Sequence, residues 1–190
     1  MEFSPETIFS IIIGIGLAAS VGFRIFVPLF ALSLASFYGI IPLNESWQWV
    51  GSSTAIIILG IATIVEILAY FIPWLDNLLD TIAVPLAAVA GTAVMVATVS
   101  NLDPTITWAL AIIAGGGTAT AIKGSTSTTR LASTATTAGI ANPVISTVET
   151  GTSIIMSVFS IFIPILAIIL VVIIFWILFK VFKLFKPLKS

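Results

Sequence analysis

From Thr150 to Phe179 the chain places not one Asp, Glu, Lys or Arg. Apolar runs of about 20 residues recur along the sequence, the length at which a helix crosses the hydrocarbon of a bilayer. A water-soluble core cannot absorb them all. Only 8% of the 190 residues are charged and 59% are hydrophobic, with a mean hydropathy of +1.24, whereas a soluble domain carries about a quarter charged residues. The sequence therefore predicts an all-α polytopic integral membrane protein. About five transmembrane helices would form a single transmembrane domain over residues 1–190.

The first apolar run, Pro5 to Tyr38, is too long for one straight crossing and is interrupted by Gly22, Arg24 and Pro28. A wetter segment, Pro42 to Gln48, follows, with Trp47 and Trp49 suited to the interface. The second span, about Gly51 to Phe71, contains Glu66. Pro73 to Asn77 reads as a turn, and Thr81 to Ser100 as the third span. Asp103 then caps a fourth span with Pro104 at its first position. The last runs from about Thr150 to Phe179, with Pro164 as a kink. The N-terminus carries Glu2 and Glu6 and no Lys or Arg, the wrong sign for a secretory leader, so the first span is expected to be retained. Lys180, Lys183, Lys186 and Lys189 crowd the end, placing a basic tail (181–190) and the C-terminus in the cytoplasm. Five spans then put Met1 outside.

The segment from Gly117 to Thr137 departs from this pattern. Eleven of its 21 residues are Ser or Thr, and it holds Lys123 and Arg130. Such a stretch is water-exposed, lines a cavity, or bonds other helices. A shift of 99 positions also lays Pro5 on Pro104, Gly16 on Gly115 and Arg24 on Lys123. In a five-span chain this suggests inverted repeat halves, 1–100 and 101–180, whose broken helices would place a site near the midplane. The steps Gly14-Ala18-Gly22, Ala87-Gly91 and Gly116-Thr120-Gly124 let helices approach closely.

Costly polar residues mark the candidate site. Arg24 within an apolar run either binds or gates an anion, or pairs with Glu66 or Glu149. Glu66 serves proton coupling or charge pairing. Asp76 and Asp80, four apart, hold a hard cation or cap the next helix. Lys123 and Arg130 are seven apart, so a continuous helix puts them on one face with Ser127 between. That face carries cations and a hydroxyl but no carboxylate, and suits a dehydrated anion better than a metal. The chain has no Cys and no His, which excludes disulfides, thiol nucleophiles and imidazole chemistry. There is no P-loop, dinucleotide fingerprint, nucleophile elbow or metal-ligand set. A net charge of −1 predicts no nucleic-acid partner.

Gly22-Phe23-Arg24-Ile25-Phe26-Val27-Pro28-Leu29, then Glu66 followed by Ile72 to Asp80 (IPWLDNLLD), resembles the bacterial family called domain of unknown function 4126. Arg130-Leu131-Ala132-Ser133-Thr134, Gly139-Ile140-Ala141-Asn142-Pro143 and Glu149 are similar to its second signature. The motif positions are Arg24, Glu66, Asp76, Asp80, Arg130, Asn142 and Glu149. Thr150 stands where the family often has a second acid. The resemblance implies a small polytopic protein of a bacterial inner membrane and brings no substrate or reaction.

The expected function is passage or binding of a small solute, an anion by preference, in a polar cavity. Arg24, Lys123, Ser127 and Arg130 would bind it, with Glu66 and Glu149 as counter-charges and Asp76, Asp80 and Asn142 in turns or caps. No catalysis, cofactor or metal is expected. The bilayer is the expected partner, and a second copy of the chain is a further candidate. The competing expectation is a scaffold or lipid-interacting protein whose polar residues only hold helices together. An intramembrane enzyme would need Glu66, Asp76 or Asp80 as its base.

Overall fold

The computed structural model describes residues 4–184 and is helical throughout, with no strand among them. The helices are α1 (Pro5–Phe23), α2 (Phe26–Phe37), α3 (Ser53–Ala69), α4 (Pro73–Thr98), α5 (Pro104–Leu110), α6 (Gly117–Thr137), α7 (Asn142–Phe162) and α8 (Pro164–Leu184). A 3₁₀ segment, Glu45–Gly51, precedes α3 at a bend of 66°. A π-helical segment, Ala111–Gly116, joins α5 to α6 in one long rod. Four helices are long and apolar enough to cross a membrane: α1, α4, the rod and α7. The bent pair leading into α3 makes a fifth.

Local chemistry explains most of the boundaries. Ser4 caps α1 by accepting from the Thr7 N–H, and Asp103 caps α5 by accepting from Thr105 at 2.8 Å, with Pro104 at the first position. The stretch from Pro73 to Asn77, expected as a turn, instead opens α4. Proline at a first helical position lacks only an N–H that would have no partner there, and its ring presets φ. Helix α1 stops at Arg24, whose backbone is extended (φ −138°, ψ 132°).

Two expected single spans are hairpins. Helix α2 turns back at Arg24–Ile25. The Asn44 N–H donates to the Ala97 carbonyl, and the Ser100 N–H donates to Ser10 Oγ, so the segment after α2 and the start of α1 meet the same end of α4. The second reversal is at Ile163. Going along α7, the chain meets α1 at Ser20 through Ser153 and Ser157, then at Gly16 through Ser160. Ala167 of α8 returns to Gly16, and Val171 joins Ala19 and Met156 in one core cluster. Met156 and Val171 would lie about 22 Å apart on a continuous kinked helix. Pro164 starts a new helix rather than bending the old one.

The long legs therefore alternate in direction, and α1 runs the same way as the rod: Ile11 and Ile15 pack beside Ala111 and Ala114, and Gly22 beside Ala119 and Ile122. Inverted repeats need these two spans to oppose each other, so that arrangement does not hold. Close approach depends on glycine at two places. A Cβ at Gly22 would lie 2.5 Å from Ile122 Cβ, and one at Gly91 would lie 2.6 Å from Ala119 Cβ and 2.7 Å from the Gly115 carbonyl oxygen. Around the outside, Ile57, Ile58, Ile61, Ile64 and Leu68 of α3 and Val172, Trp176 and Phe179 of α8 are exposed. A surface of this extent suits hydrocarbon better than water. Glu2, Lys186 and Lys189 lie outside the described residues.

Candidate functional site

One end of the bundle brings together Arg24 from the α1–α2 tip, Glu66 and Tyr70 from α3 and its end, Asp76 and Asp80 from α4, Lys123 and Arg130 from α6, and Asn142, Ser146, Glu149 and Thr150 from α7. Arg24 and Lys123 are 0% exposed, Arg130 and Asp76 1%, and Glu149 3%. Charges removed from water this far persist only when paired and hydrogen-bonded.

Arg130 is held most tightly. Its Nη1 donates to Asp76 Oδ1 at 2.5 Å, its Nη2 to Glu149 Oε2 at 2.5 Å, and its Nε to both Glu149 oxygens at 3.2 Å. Arg24 Nε donates to Thr150 Oγ1 at 3.0 Å, and its Nη2 to the Ser146 carbonyl at 2.9 Å and to the Ser146 hydroxyl. The same Nη2 lies 3.7 Å from Glu149 Oε2. Glu149 is thus shared between two arginines. At Thr150, where this chain departs from the second acid frequent in the family it resembles, a hydroxyl receives Arg24.

Glu66 has a different task from the charge pairing expected of it. Its oxygens accept from the backbone N–H groups of Ile25 and Phe26 at 2.8 and 2.9 Å. These are the unsatisfied donors at the start of α2, whose own preceding residue offers no side-chain cap. A carboxylate there meets two N–H groups and the positive end of the helix dipole. It thereby fixes the tip that carries Arg24.

The roles expected of Asp76 and Asn142 also change. Ile72 precedes α4 and Ala141 precedes α7, and neither helix has a side-chain cap bond. Asp76 instead faces Arg130, and its second oxygen accepts from Asn142 Nδ2 at 2.9 Å. A buried guanidinium outcompetes a helix end for a carboxylate because it would otherwise be left as an unpaired charge. Asp80 sits one turn further on the same side. The Lys123/Arg130 face carries no carboxylate of its own, but α4 and α7 supply Asp76 and Glu149 to it.

Tyr70 stands at the centre and was not anticipated. Its ring lies 4.0 Å from Arg24 Cζ, 4.5 Å from Arg130 Cζ and 5.1 Å from Lys123 Nζ, and its hydroxyl accepts from Lys123 at 3.2 Å. A ring face attracts cations, so Tyr70 lets three of them gather without direct contact. The signal available was its rarity: the chain has two tyrosines, and this one lies four positions, about one helical turn, after the intramembrane acid Glu66. The Ser20–Ser153–Ser157 contacts joining α1 to α7 were missed as well.

The hydroxyls of α6 mostly serve their own helix. Ser125, Thr128, Thr129 and Thr136 donate to the carbonyls four residues back, which lets a Ser/Thr-rich helix sit in apolar surroundings. Four buried polar atoms have no hydrogen-bond partner among the described residues: Arg24 Nη1, Asp80 Oδ1, Ser127 Oγ and Asn142 Oδ1. A cleft of about 50 Å³ opens at the α3–α4 and α6–α7 turns, lined by Tyr70, Asp76, Thr134, Gly139 and Asn142 among others. It reaches the Asp76 side of the cluster; Arg24 and Lys123 lie behind it, closed off. Among the described residues no group of three or more acidic side chains is arranged to hold a metal ion.

The model of the family described as Domain of unknown function (DUF4126) matches residues 11–183, and the chain belongs to that family. No curated protein and no solved structure matches it.

Proposed function

We propose that this member of the DUF4126 family binds a small polar solute at the Tyr70 cluster and passes it through the bundle, entering by the cleft at Asp76 and Asn142. The observation that carries this reading is the set of unpartnered buried atoms, one on each of Arg24, Asp80, Ser127 and Asn142. Native interiors leave few such groups unmet, and a site that needs both a donor and acceptors fits a hydrogen-bonding solute. The anion favoured by the sequence has weaker support, because Asp76 and Glu149 offset Arg130. Catalysis has less: of the three carboxylates an enzyme could use as its base, Glu66 and Asp76 have both oxygens engaged as acceptors, and Asp80 alone keeps one without a partner. A scaffold is the competing reading, favoured by the completeness of the Arg130 pairing. We place the protein in a bacterial inner membrane with its C-terminus cytoplasmic. The test is flux from liposomes holding purified protein, over a panel of small anions, cations and zwitterions. One class should move, and Arg24→Lys, which keeps the charge and loses the planar fork, should slow it. No flux of any solute would favour the scaffold.

A further inference from the structure

The cluster gathers four carboxylates, Glu66, Asp76, Asp80 and Glu149, around three cations, Arg24, Lys123 and Arg130. Among the described residues the bundle interior adds no other charge, since Glu6, Glu45, Asp103, Lys180 and Lys183 are all exposed. A buried group of charges with one acid in excess is held in hydrocarbon only if a further positive charge joins it. The hydrogen bonds show where that charge belongs. Glu66 uses both oxygens on backbone N–H groups, Asp76 uses one on Arg130 and one on Asn142, and Glu149 receives Arg130 on both. Asp80 alone has a buried oxygen with no donor. It lies within electrostatic reach of Arg130, Lys123, Asp76 and Glu149, and its side chain is only half-buried, which leaves a route for exchange.

Resting on the solute-passage reading above, we propose that Asp80 is the proton-carrying site of this protein, taking up and releasing one proton as the cluster is closed and opened. A metal ion fits less well. Calcium-like cations need six to eight oxygens, and three of the four carboxylates have none to spare. A proton needs one oxygen. The charged and titratable groups that act on Asp80 are Tyr70 at the end of α3, Asp76 on its own helix, Lys123 and Arg130 of α6, and Glu149 of α7. Uptake by Asp80 leaves three carboxylates facing three cations, and release restores the excess acid that would draw in a positively charged solute or the next proton.

The test reads the proton directly, without relying on transport. Infrared spectra of the purified full chain in lipid nanodiscs at neutral pH should show a protonated-carboxyl C=O band that shifts in D₂O. Asp80→Asn should abolish it, and Asp80→Glu should keep it at a changed frequency. Lys123→Met, which raises the acid excess from one to two, should roughly double its area. Absence of the band in the wild-type protein, or its full persistence in Asp80→Asn, would overturn the assignment. If Asp80→Asn does not fold, an unmoved band in Asp80→Glu would overturn it equally. A proton-gradient arm in liposomes separates the two readings. The band assigned to Asp80 without any flux would sink the solute-passage reading and leave the proton site standing; flux unaffected by Asp80→Asn, with no band, would do the reverse.

Discussion

Replacing Arg130 by Met should be among the most damaging single changes in the chain. The guanidinium makes four N–H contacts to two carboxylates, and Met fills much of its volume while removing every one. A charge-assisted hydrogen bond is worth about 1.5–3 kcal/mol, but contacts sharing one group do not add. The better guide is the loss on stranding a buried partner, about 3–5 kcal/mol, and here Asp76 and Glu149 are both stranded; Arg24 at 3.7 Å relieves only Glu149. For a chain of this length each kcal/mol lowers the melting temperature by about 2–4 °C, so Arg130→Met should melt about 6–20 °C below wild type. Thermal unfolding in detergent, followed by size-exclusion of the surviving protein, measures this. Adding Asp76→Asn and Glu149→Gln should recover more than half the loss, because neutral amides tolerate the apolar neighbour better than carboxylates do. Arg130→Lys should recover less, since an ammonium cannot fork between two carboxylates. A melting point within about 2 °C of wild type for Arg130→Met, or a triple variant worse than the single one, would refute the pairing argument.

Glu66→Gln keeps the shape of the α2 cap and removes its charge; a stability loss of about 1–2 kcal/mol is expected, smaller than for Arg130, and Glu66→Ala should exceed it in the same melting assay. At Gly91 a valine would drive its Cβ into Ala119 and the Gly115 carbonyl, at a cost of about 1–3 kcal/mol. Gly124→Ala, where nothing lies within 4 Å of the added carbon, should be neutral or stabilising by up to about 1 kcal/mol; denaturation of both variants side by side tests the contrast. Reporter fusions at residues 4 and 184 should read opposite compartments, because the alternating legs leave the two ends at opposite ends of the bundle.

Much of the architecture was legible in the apolar runs, and the reasons for the failures are specific. Run length identifies a helix that fits a bilayer but cannot tell a long crossing from a hairpin, so Pro5 to Tyr38 and Thr150 to Phe179 each concealed a reversal. At Arg24 the reversal depends on Glu66, 42 positions away in sequence, reaching the N–H groups that the break exposes. Pro73 to Asn77 holds Pro, Asp and Asn, which serve turns and helix starts alike; the burial of Asp76 against Arg130 decides between them. The intramembrane polar residues were legible as costly, and Arg24, Glu66, Lys123, Arg130 and Glu149 do meet in one place. What each does there was not, because pairing is a property of three-dimensional neighbours. Ser127 shares the expected face with Lys123 and Arg130, yet its hydroxyl remains without a partner among the described residues while the Lys123 ammonium and the Arg130 guanidinium are engaged.

The absence of cysteine from the chain makes the central claim directly testable. Single cysteines at Thr134, on the wall of the cleft, and at Ser127, behind it, can be challenged in membranes with a charged, impermeant thiol reagent. Thiolate is the reactive form, and burial in apolar surroundings suppresses it. A solute site that opens to the cleft predicts fast reaction at Thr134→Cys, slower but complete reaction at Ser127→Cys, and protection of the latter by the solute that moves in the flux panel. Reaction at Thr134→Cys with Ser127→Cys inert under every solute would contradict it, leaving the cluster as a permanently sealed fastening between helices.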